Sequence, residues 1–234
     1  MAGIGTEVKF TLAADQVSAG LAAFGLADRV ARRHEVYFVD TLDDAGDPRL
    51  YGRHVVLRVR RRGDDSGDVT VLLRPADRGR LIGRWRPGTE HRAAFRVVHD
   101  WAHRKVLAAS VEAAYDSGVG QLLAGPRKGL LTAEQQHFVR NCADTLDQPL
   151  RDVRNVGPVV SLTWPDLPAA PMPGLRAQRW SWGAHAYLEL SLRCATDAEA
   201  TARRALFAAE LERHGLKPDD SVTTKTETVL RDLL

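Results

Sequence analysis

The sequence predicts an α+β fold in which strands outnumber helices and the helices cover one face of the sheet. Most strand-like segments alternate aliphatic with charged or polar residues, so each strand has one apolar and one polar face. Three segments, at about 16–24, 132–147 and 198–214, follow a capping residue and have apolar residues at helical spacing. The helices therefore suit the aliphatic faces, and the charged faces need a polar environment.

The clearest strand pair lies at 55–62 and 69–74, on either side of a Gly- and Asp-rich turn at 63–67. Arg58 and Arg60 share the polar face of the first strand, and Arg74 lies on the polar face of the second. Guanidinium groups repel one another unless an anion lies between them, and they match phosphate oxygens in a bidentate manner. The hairpin thus fits a phosphate site, and it also fits the solvated outer face of a surface hairpin.

Other strands repeat this alternation. Glu7 and Lys9 share a face at 4–12, and Glu189 shares one with Tyr187 at 184–193. Further strands are predicted at 36–39, 81–86, 94–101, 155–164, 175–182 and 221–230, and Lys225 lies on the polar face of the last. The segment 103–114 fits either a strand or a helix. Loops are predicted at 40–53, 118–129 and 165–174. A flat sheet would expose these polar faces to water, whereas a closed barrel would turn them inward around an anionic ligand.

Composition limits the function. The chain has 234 residues and a net charge of only +3, so an anion site must come from local clustering of cations. Cys142 and Cys194 are far apart, which indicates a reducing compartment and no disulfide framework. The sequence shows no signal peptide and no apolar run of about 18 residues. We therefore expect a cytoplasmic protein that does not enter a membrane.

Several short segments resemble, in order, the motifs of the CYTH or triphosphate tunnel metalloenzyme family. Residues 5–9 resemble its Glu-x-Glu-x-Lys signature, and 57–60 resemble its Leu-Arg-x-Arg motif. Similar matches are Tyr37 to Thr41 with Leu50 and Gly52, Asp68 to Val71, Leu188 to Ser191, and Thr224 to Thr226. The ordered set extends over nearly the whole chain.

The resemblance implies one CYTH-like domain over 1–234, built as an antiparallel β-barrel or tunnel of about eight strands with helices packed outside. Members hydrolyse or cyclise triphosphate compounds with Mg²⁺ or Mn²⁺. By correspondence with the family motifs, Glu7, Lys9, Arg58 and Arg60 are candidate catalytic residues. The candidate phosphate-binding residues are Lys9, Arg58, Arg60, Arg74, Arg179 and Lys225, and the candidate metal ligands are Glu7, Glu189 and Asp100. The expected partner is a small-molecule triphosphate or polyphosphate.

Three positions depart from the family pattern. Gly5 stands in place of the first glutamate, Leu72 in place of a lysine and Ser191 in place of a second carboxylate. These changes keep two alternatives to metal-dependent hydrolysis open, a non-catalytic polyphosphate-binding module and an adenylate-cyclase-like variant. Nucleic-acid binding would need Arg58 and Arg60 to face outward, and we do not expect it. His99, His103 and His185 lack the compact spacing of zinc ligands.

Overall fold

Nine strands form a closed barrel in the computed structural model, which describes residues 4–89, 94–125, 129–143, 153–167, 172–219 and 224–234. Around the barrel the order is β1-β5-β6-β4-β3-β2-β7-β8-β9. The strands are β1 (Thr6–Leu12), β2 (Arg32–Asp40), β3 (Val55–Arg61), β4 (Gly67–Leu73), β5 (Phe95–Trp101), β6 (Lys105–Tyr115), β7 (Arg154–Leu167), β8 (Leu175–Trp182) and β9 (His185–Cys194). The closed barrel with external helices confirms the predicted fold class.

Two details of the strand prediction are corrected. The barrel has nine strands instead of about eight, and β1 pairs in parallel with β5 while its other neighbour, β9, is antiparallel. The ambiguous segment at 103–114 is the strand β6. The predicted short strand at 81–86 is absent, because Gly83–Trp85 forms a single 3₁₀ turn.

Within the described ranges, five α-helices precede the C-terminal segment. They are α1 (Val17–Ala23), α2 (Arg49–Gly52), α3 (Val119–Ala124), α4 (Ala133–Cys142) and α5 (Asp197–Arg213). Three of them, α1, α4 and α5, match the predicted helices, although 144–147 lies outside the described residues. The short helix α3 lies inside the segment 118–129 that was predicted as a loop. No helix in the described ranges is long and apolar enough to cross a membrane.

The prediction of a strand at 221–230 is wrong for the residues that the structure describes. Lys225–Leu233 is a helix, α6, and 221–223 lies outside the described residues. The Oγ1 of Thr224 accepts a hydrogen bond from the backbone N–H of Glu227 at 3.2 Å, which caps the helix start. Val229 and Leu230 are buried, so tertiary packing adds to the cap and outweighs the strand propensity of the threonines.

Helices cover the aliphatic outer faces of the barrel. Phe207 of α5 is fully buried and packs edge-to-face against Phe10 of β1, with ring centroids 4.8 Å apart. On the other side of the barrel, the buried amide of Gln135 in α4 donates to the carbonyl oxygens of Val69 (2.7 Å) and Val111 (3.3 Å). These contacts fix α5 and α4 on the barrel wall and leave the opposite faces of the strands pointing inward.

The barrel interior has an apolar part as well as a polar part. Val36 lies opposite Arg60 and Phe38 opposite Arg58 in the β2–β3 register, so all four side chains project to the inner face. Phe38 packs with Trp180 of β8, and this cluster also contains Val229 and Leu230 of α6. The helix α6 therefore packs on the apolar part of the interior.

We expect Phe207→Ala to lower the free energy of unfolding by about 3–5 kcal/mol, because it removes a fully buried aromatic ring from the outer core. Leu206 is the matched control on the same helix, since it is 65 % exposed, and Leu206→Ala should change stability by about 0.5 kcal/mol or less. Urea denaturation of both variants measures the difference. Equal losses in the two variants would contradict the placement of α5 on the barrel.

Candidate functional site: a cationic cavity inside the barrel

The barrel encloses a cavity of about 620 Å³. Its walls come from the inner faces of the strands, from the loop between β2 and β3, from the turn between β5 and β6, and from α6. Deep in the cavity, four cationic side chains come from segments far apart in the sequence. They are Lys9 of β1, Arg58 of β3, Arg74 just after β4, and Lys225 of α6. The closed fold therefore brings together cations that the sequence separates by up to 216 residues (225 − 9).

Arg58 carries a guanidinium group that is only partly satisfied by the protein. Its Nη2 donates to Thr70 Oγ1 at 3.3 Å, while its Nε is buried and has no hydrogen-bond partner among the described residues. Burial lowers the pKa of Arg58 to about 10, and the nearby charge of Arg60 adds to this effect. Within the described ranges, no carboxylate lies within ion-pair distance of Arg58. A buried donor of this kind is costly unless an acceptor reaches it.

Arg58 is held in position by a short chain of hydrogen bonds. The hydroxyl of Thr70 that accepts from Arg58 donates in turn to Asp68 Oδ1 at 3.0 Å. The same carboxylate accepts from Arg60 Nε. The chain orients the Arg58 side chain and leaves its Nε without a hydrogen-bond partner in the described part of the protein.

Lys9 and Arg74 share one carboxylate. Lys9 Nζ lies 3.1 Å from Asp100 Oδ2, and Arg74 Nε lies 2.9 Å from the same oxygen. Asp100 Oδ1 is buried without a hydrogen-bond partner among the described residues. Burial alone would lower the pKa of Lys9, but Asp100 and Glu7 outweigh it and the net shift is upward, which keeps the ammonium charged.

Glu189 and Lys225 form the second buried pair, with 2.9 Å between Oε2 and Nζ. The ammonium of Lys225 also lies 4.2 Å from the ring centroid of Trp180 and 3.4 Å from Gln178 Oε1. Burial would raise the pKa of Glu189, but Lys225 and then Lys9 hold it at about 2. Burial lowers the pKa of Lys225, and Glu189 offsets this only in part.

The deep part of the cavity has an excess of positive charge. The four cations face three carboxylates, those of Asp100, Glu189 and, 3.8 Å from Lys9, Glu7, so one positive charge is in excess. These side chains are poorly exposed: 14 % for Lys225 and 8 % for Asp100. Nearer the mouth both signs occur, among them Arg231 and Asp47, which pair at 2.8 Å. Enclosed cations repel one another and lose hydration, so the deep part favours an anion.

Aromatic and aliphatic side chains form the rest of the wall. They are Phe38, Tyr51, Val56, Leu72, Trp180 and Tyr187. The sequence analysis did not assign a functional role to any of them, although alternation placed Tyr187 on the same face as Glu189. The same alternation of faces places Phe38 beside the arginines, but only once the register between β2 and β3 is known.

Three predicted site residues are not among those that line the cavity. Arg60 points into the barrel but is neutralised by Asp68 (Nε to Oδ2, 2.7 Å) and by Glu112 (Nη2 to Oε2, 2.9 Å). Glu7 lies beside Lys9, with 3.8 Å between its Oε2 and Nζ. Arg179 does not line the cavity, because it is paired with Leu188 in the β8–β9 register and so projects to the outer face with that core residue.

The predicted metal ligands do not form a metal site in this arrangement. Asp100 contacts two cations and Glu189 contacts one, while the two oxygens of Glu7 face Lys9 and Arg193, each at 3.8 Å. In the part of the chain that the structure describes, no three His, Cys, Asp or Glu side chains come together as a metal cluster. Mg²⁺ takes six oxygen ligands in near-octahedral geometry. Because Mg²⁺ usually takes one or two carboxylates and completes this shell with waters and substrate oxygens, what opposes a metal here is the pairing of these carboxylates with cations, and Mg²⁺ or Mn²⁺ stays a prediction.

Lys225 reaches the cavity by a different route from the one predicted. It is the first residue of α6 instead of a strand residue, so a helix start brings this lysine to a cavity whose other deep cations lie on or just after strands. The Thr-x-x-Glu spacing of Thr224 and Glu227 is a helix-capping signal that the sequence analysis missed.

Comparisons with solved structures show the same fold across nearly the whole chain. HpAC1 from Hippeastrum, a proposed adenylyl cyclase reported to have a dominant triphosphatase activity, superposes with a TM-score of 0.61 at 15 % identity, covering 99 % of this chain and 97 % of that one. A proposed adenylate cyclase from Bacillus halodurans gives 0.60 at 12 % identity, covering 97 % and 98 %. The PH1819 protein from Pyrococcus horikoshii gives 0.52 at 10 % identity, covering 97 % and 99 %. No protein-family model and no curated protein matches the sequence.

The low pKa of Glu189 predicts a pH-dependent contribution to stability. Its pKa is about 2 in the folded protein and about 4.5 ordinarily, so the stabilisation is complete above pH 4.5 and is lost as the pH falls towards 2. The free energy of unfolding of wild type minus that of Glu189→Gln, measured by urea denaturation, should decrease over this range. In a Lys225→Met background the decrease should be smaller, because without the ammonium the folded-state pKa of Glu189 is no longer held so far below its ordinary value. An identical pH dependence in both backgrounds would contradict the pairing.

Proposed function

We propose that the chain binds the phosphate groups of a triphosphate or polyphosphate compound inside the barrel. The observation that carries this proposal is Arg58, whose buried Nε has no protein acceptor and whose guanidinium has no carboxylate at ion-pair distance among the described residues. A phosphate oxygen would supply the acceptor and the negative charge together.

The other deep cations extend this site. Lys9, Arg74 and Lys225 contact the carboxylates of Asp100, Glu7 and Glu189, so the charge that the protein leaves unbalanced is that of Arg58. A triphosphate has several negative charges along one short chain, and it would offset repulsion among cations that come from different strands. The fold is consistent with this function, because HpAC1, which has a dominant triphosphatase activity, shares it.

The β3–β4 hairpin does not favour nucleic-acid binding through Arg58 and Arg60. Both side chains project into the barrel, and Arg60 is further engaged by Asp68 and Glu112. The phosphates that reach Arg58 must therefore belong to a ligand small or slender enough to enter the cavity.

Hydrolysis of a phosphoanhydride is the second candidate function, and the triphosphatase activity of HpAC1 favours it. In that case Arg58, Lys9 and Lys225 would hold the phosphates and offset the charge that develops on them, while Mg²⁺ or Mn²⁺ would polarise a phosphoryl oxygen. Cyclisation of ATP is a further variant of the same chemistry. Metal-dependent turnover needs a ligand set that the carboxylates do not form in their present pairing.

We expect inorganic triphosphate to raise the melting temperature of wild type and to do so much less for Arg58→Ala. A charge-assisted hydrogen bond contributes about 1.5–3 kcal/mol, so affinity should fall on the order of tenfold to a hundredfold. Without ligand, Arg58→Ala should be as stable as wild type or slightly more stable, because the variant buries one fewer unbalanced charge. Thermal-shift titration measures both effects.

The matched control is Arg33→Ala, which removes the same charge from an outer-facing side chain of β2 that is 59 % exposed. This variant should respond to triphosphate as wild type does. Equal gains in wild type and Arg58→Ala would show that Arg58 is not part of the phosphate site, and the proposed function would then fail.

Phosphate release from inorganic triphosphate, ATP and thiamine triphosphate, assayed with Mg²⁺ and with Mn²⁺, tests the second candidate. If hydrolysis takes place in this cavity, wild type and Arg33→Ala should both release phosphate, and Arg58→Ala should not. A folded wild-type protein that binds triphosphate and releases no phosphate from any of the three would eliminate this candidate and leave binding as the function.

A further inference from the structure

We propose that Asp100 and Glu189 are internal counter-ions that take the place of ligand phosphates, and that the triphosphate or polyphosphate enters as a metal-free anion. The inference rests on the proposed function and specifies the form of the ligand. It also assigns to both carboxylates a role different from that of metal ligands.

Asp100 lies against two cations, where a bound phosphate oxygen could lie, although its contact with Arg74 Nε lacks hydrogen-bond geometry. A single oxygen, Oδ2, lies 3.1 Å from the Lys9 ammonium and 2.9 Å from Arg74 Nε. Glu189 presents one oxygen to the Lys225 ammonium at 2.9 Å. Each carboxylate thus occupies cations that line the cavity, and each would repel an incoming phosphate. A ligand gains these cations only by drawing them away from the carboxylates.

A divalent cation would be repelled at the same oxygens, because cationic side chains already lie beside them. To bind Asp100 Oδ2, it would have to approach Lys9 and Arg74, which already lie within about 3 Å of that oxygen. Asp100 Oδ1 has no hydrogen-bond partner among the described residues, but a metal ion bound there would still lie next to Lys9 and Arg74, which hold the other oxygen of the same carboxylate. Glu7 adds little, since both of its oxygens already face cations.

The two roles predict opposite effects of neutralising Asp100. If Asp100 is a metal ligand, Asp100→Asn weakens metal-dependent binding. If Asp100 is a counter-ion, the same change frees Lys9 and Arg74 and removes a repulsive charge, so metal-free binding becomes tighter. Asparagine has nearly the same shape as aspartate, which limits the change to charge and hydrogen bonding.

Isothermal titration calorimetry of the full chain with inorganic triphosphate tests this inference. Wild type should bind in the presence of a chelator, and added Mg²⁺ should leave the affinity unchanged or lower it, because Mg²⁺ complexes the free ligand. In chelator, Asp100→Asn should bind triphosphate at least about threefold more tightly than wild type does, and this gain in affinity should shrink as salt is added. The control is Asp28→Asn, the same substitution at an exposed position outside the cavity, which should bind as wild type does.

The outcomes separate this inference from the proposed function. Binding that requires Mg²⁺ and is lost in Asp100→Asn would overturn the counter-ion role and leave the phosphate site intact. Equal affinity of wild type and Asp100→Asn in chelator would also overturn that role. No binding by wild type in either condition would overturn the proposed function itself.

Asp100→Asn is first checked for folding by circular dichroism and urea denaturation. If this variant does not fold, Glu189→Gln takes its place, because it neutralises the second counter-ion and is expected to tighten metal-free binding in the same direction. Weaker binding by a folded Glu189→Gln in chelator would contradict the inference.

Discussion

The position of β1 between β5 and β9 is the constraint on which the site depends. Its parallel pairing sets Glu7 opposite Asp100, and its antiparallel pairing sets Thr11 opposite Glu189. Lys9 lies between these two positions and is influenced by both carboxylates. One strand thus joins the acidic residues of two distant segments to a single lysine, and barrel closure alone creates this arrangement.

The distribution of apolar residues allows the charges to be buried. Two large clusters lie outside the barrel, where α4 and α1 with α5 cover the strands. A third cluster, smaller and interior, includes Phe38, Trp180 and the buried residues of α6. Buried ion pairs such as Lys225 with Glu189 contribute little net stability, because desolvation offsets their attraction. The external clusters are therefore the main source of stability, and the interior charges can serve binding.

Residue alternation made much of this architecture predictable. It placed Lys9, Arg58 and Glu189 on polar faces, and the three predicted helices do cover aliphatic faces of the strands. The partners of those residues were not predictable, because they depend on register between strands. Arg60 is engaged by Glu112 of β6, and nothing near Arg60 in the sequence identifies this neighbour.

Two errors have identifiable physical causes. Arg179 was assigned by resemblance, although its neighbours Gln178 and Trp180 face the cavity and alternation then sends Arg179 outward. Lys225 was assigned to a strand because threonines favour strands, while the helix cap at Thr224 and the burial of Val229 decide the local structure. The parallel contact of β1 with β5 had no sequence signal, since alternation looks the same in parallel and antiparallel pairs.

The same β1 pairing has a consequence for how the protein folds. Thr6 meets Cys194 on one side and His99 on the other, so β1 gains no partner from a neighbouring hairpin. The chain must lose the entropy of closing very long loops before these contacts form, and folds dominated by such non-local pairs form slowly. We therefore expect local hairpins such as β3–β4 to form early and β1 to join late. Until β1 joins, the sheet would be open with two free edges, and the anion site would form only when the barrel closes.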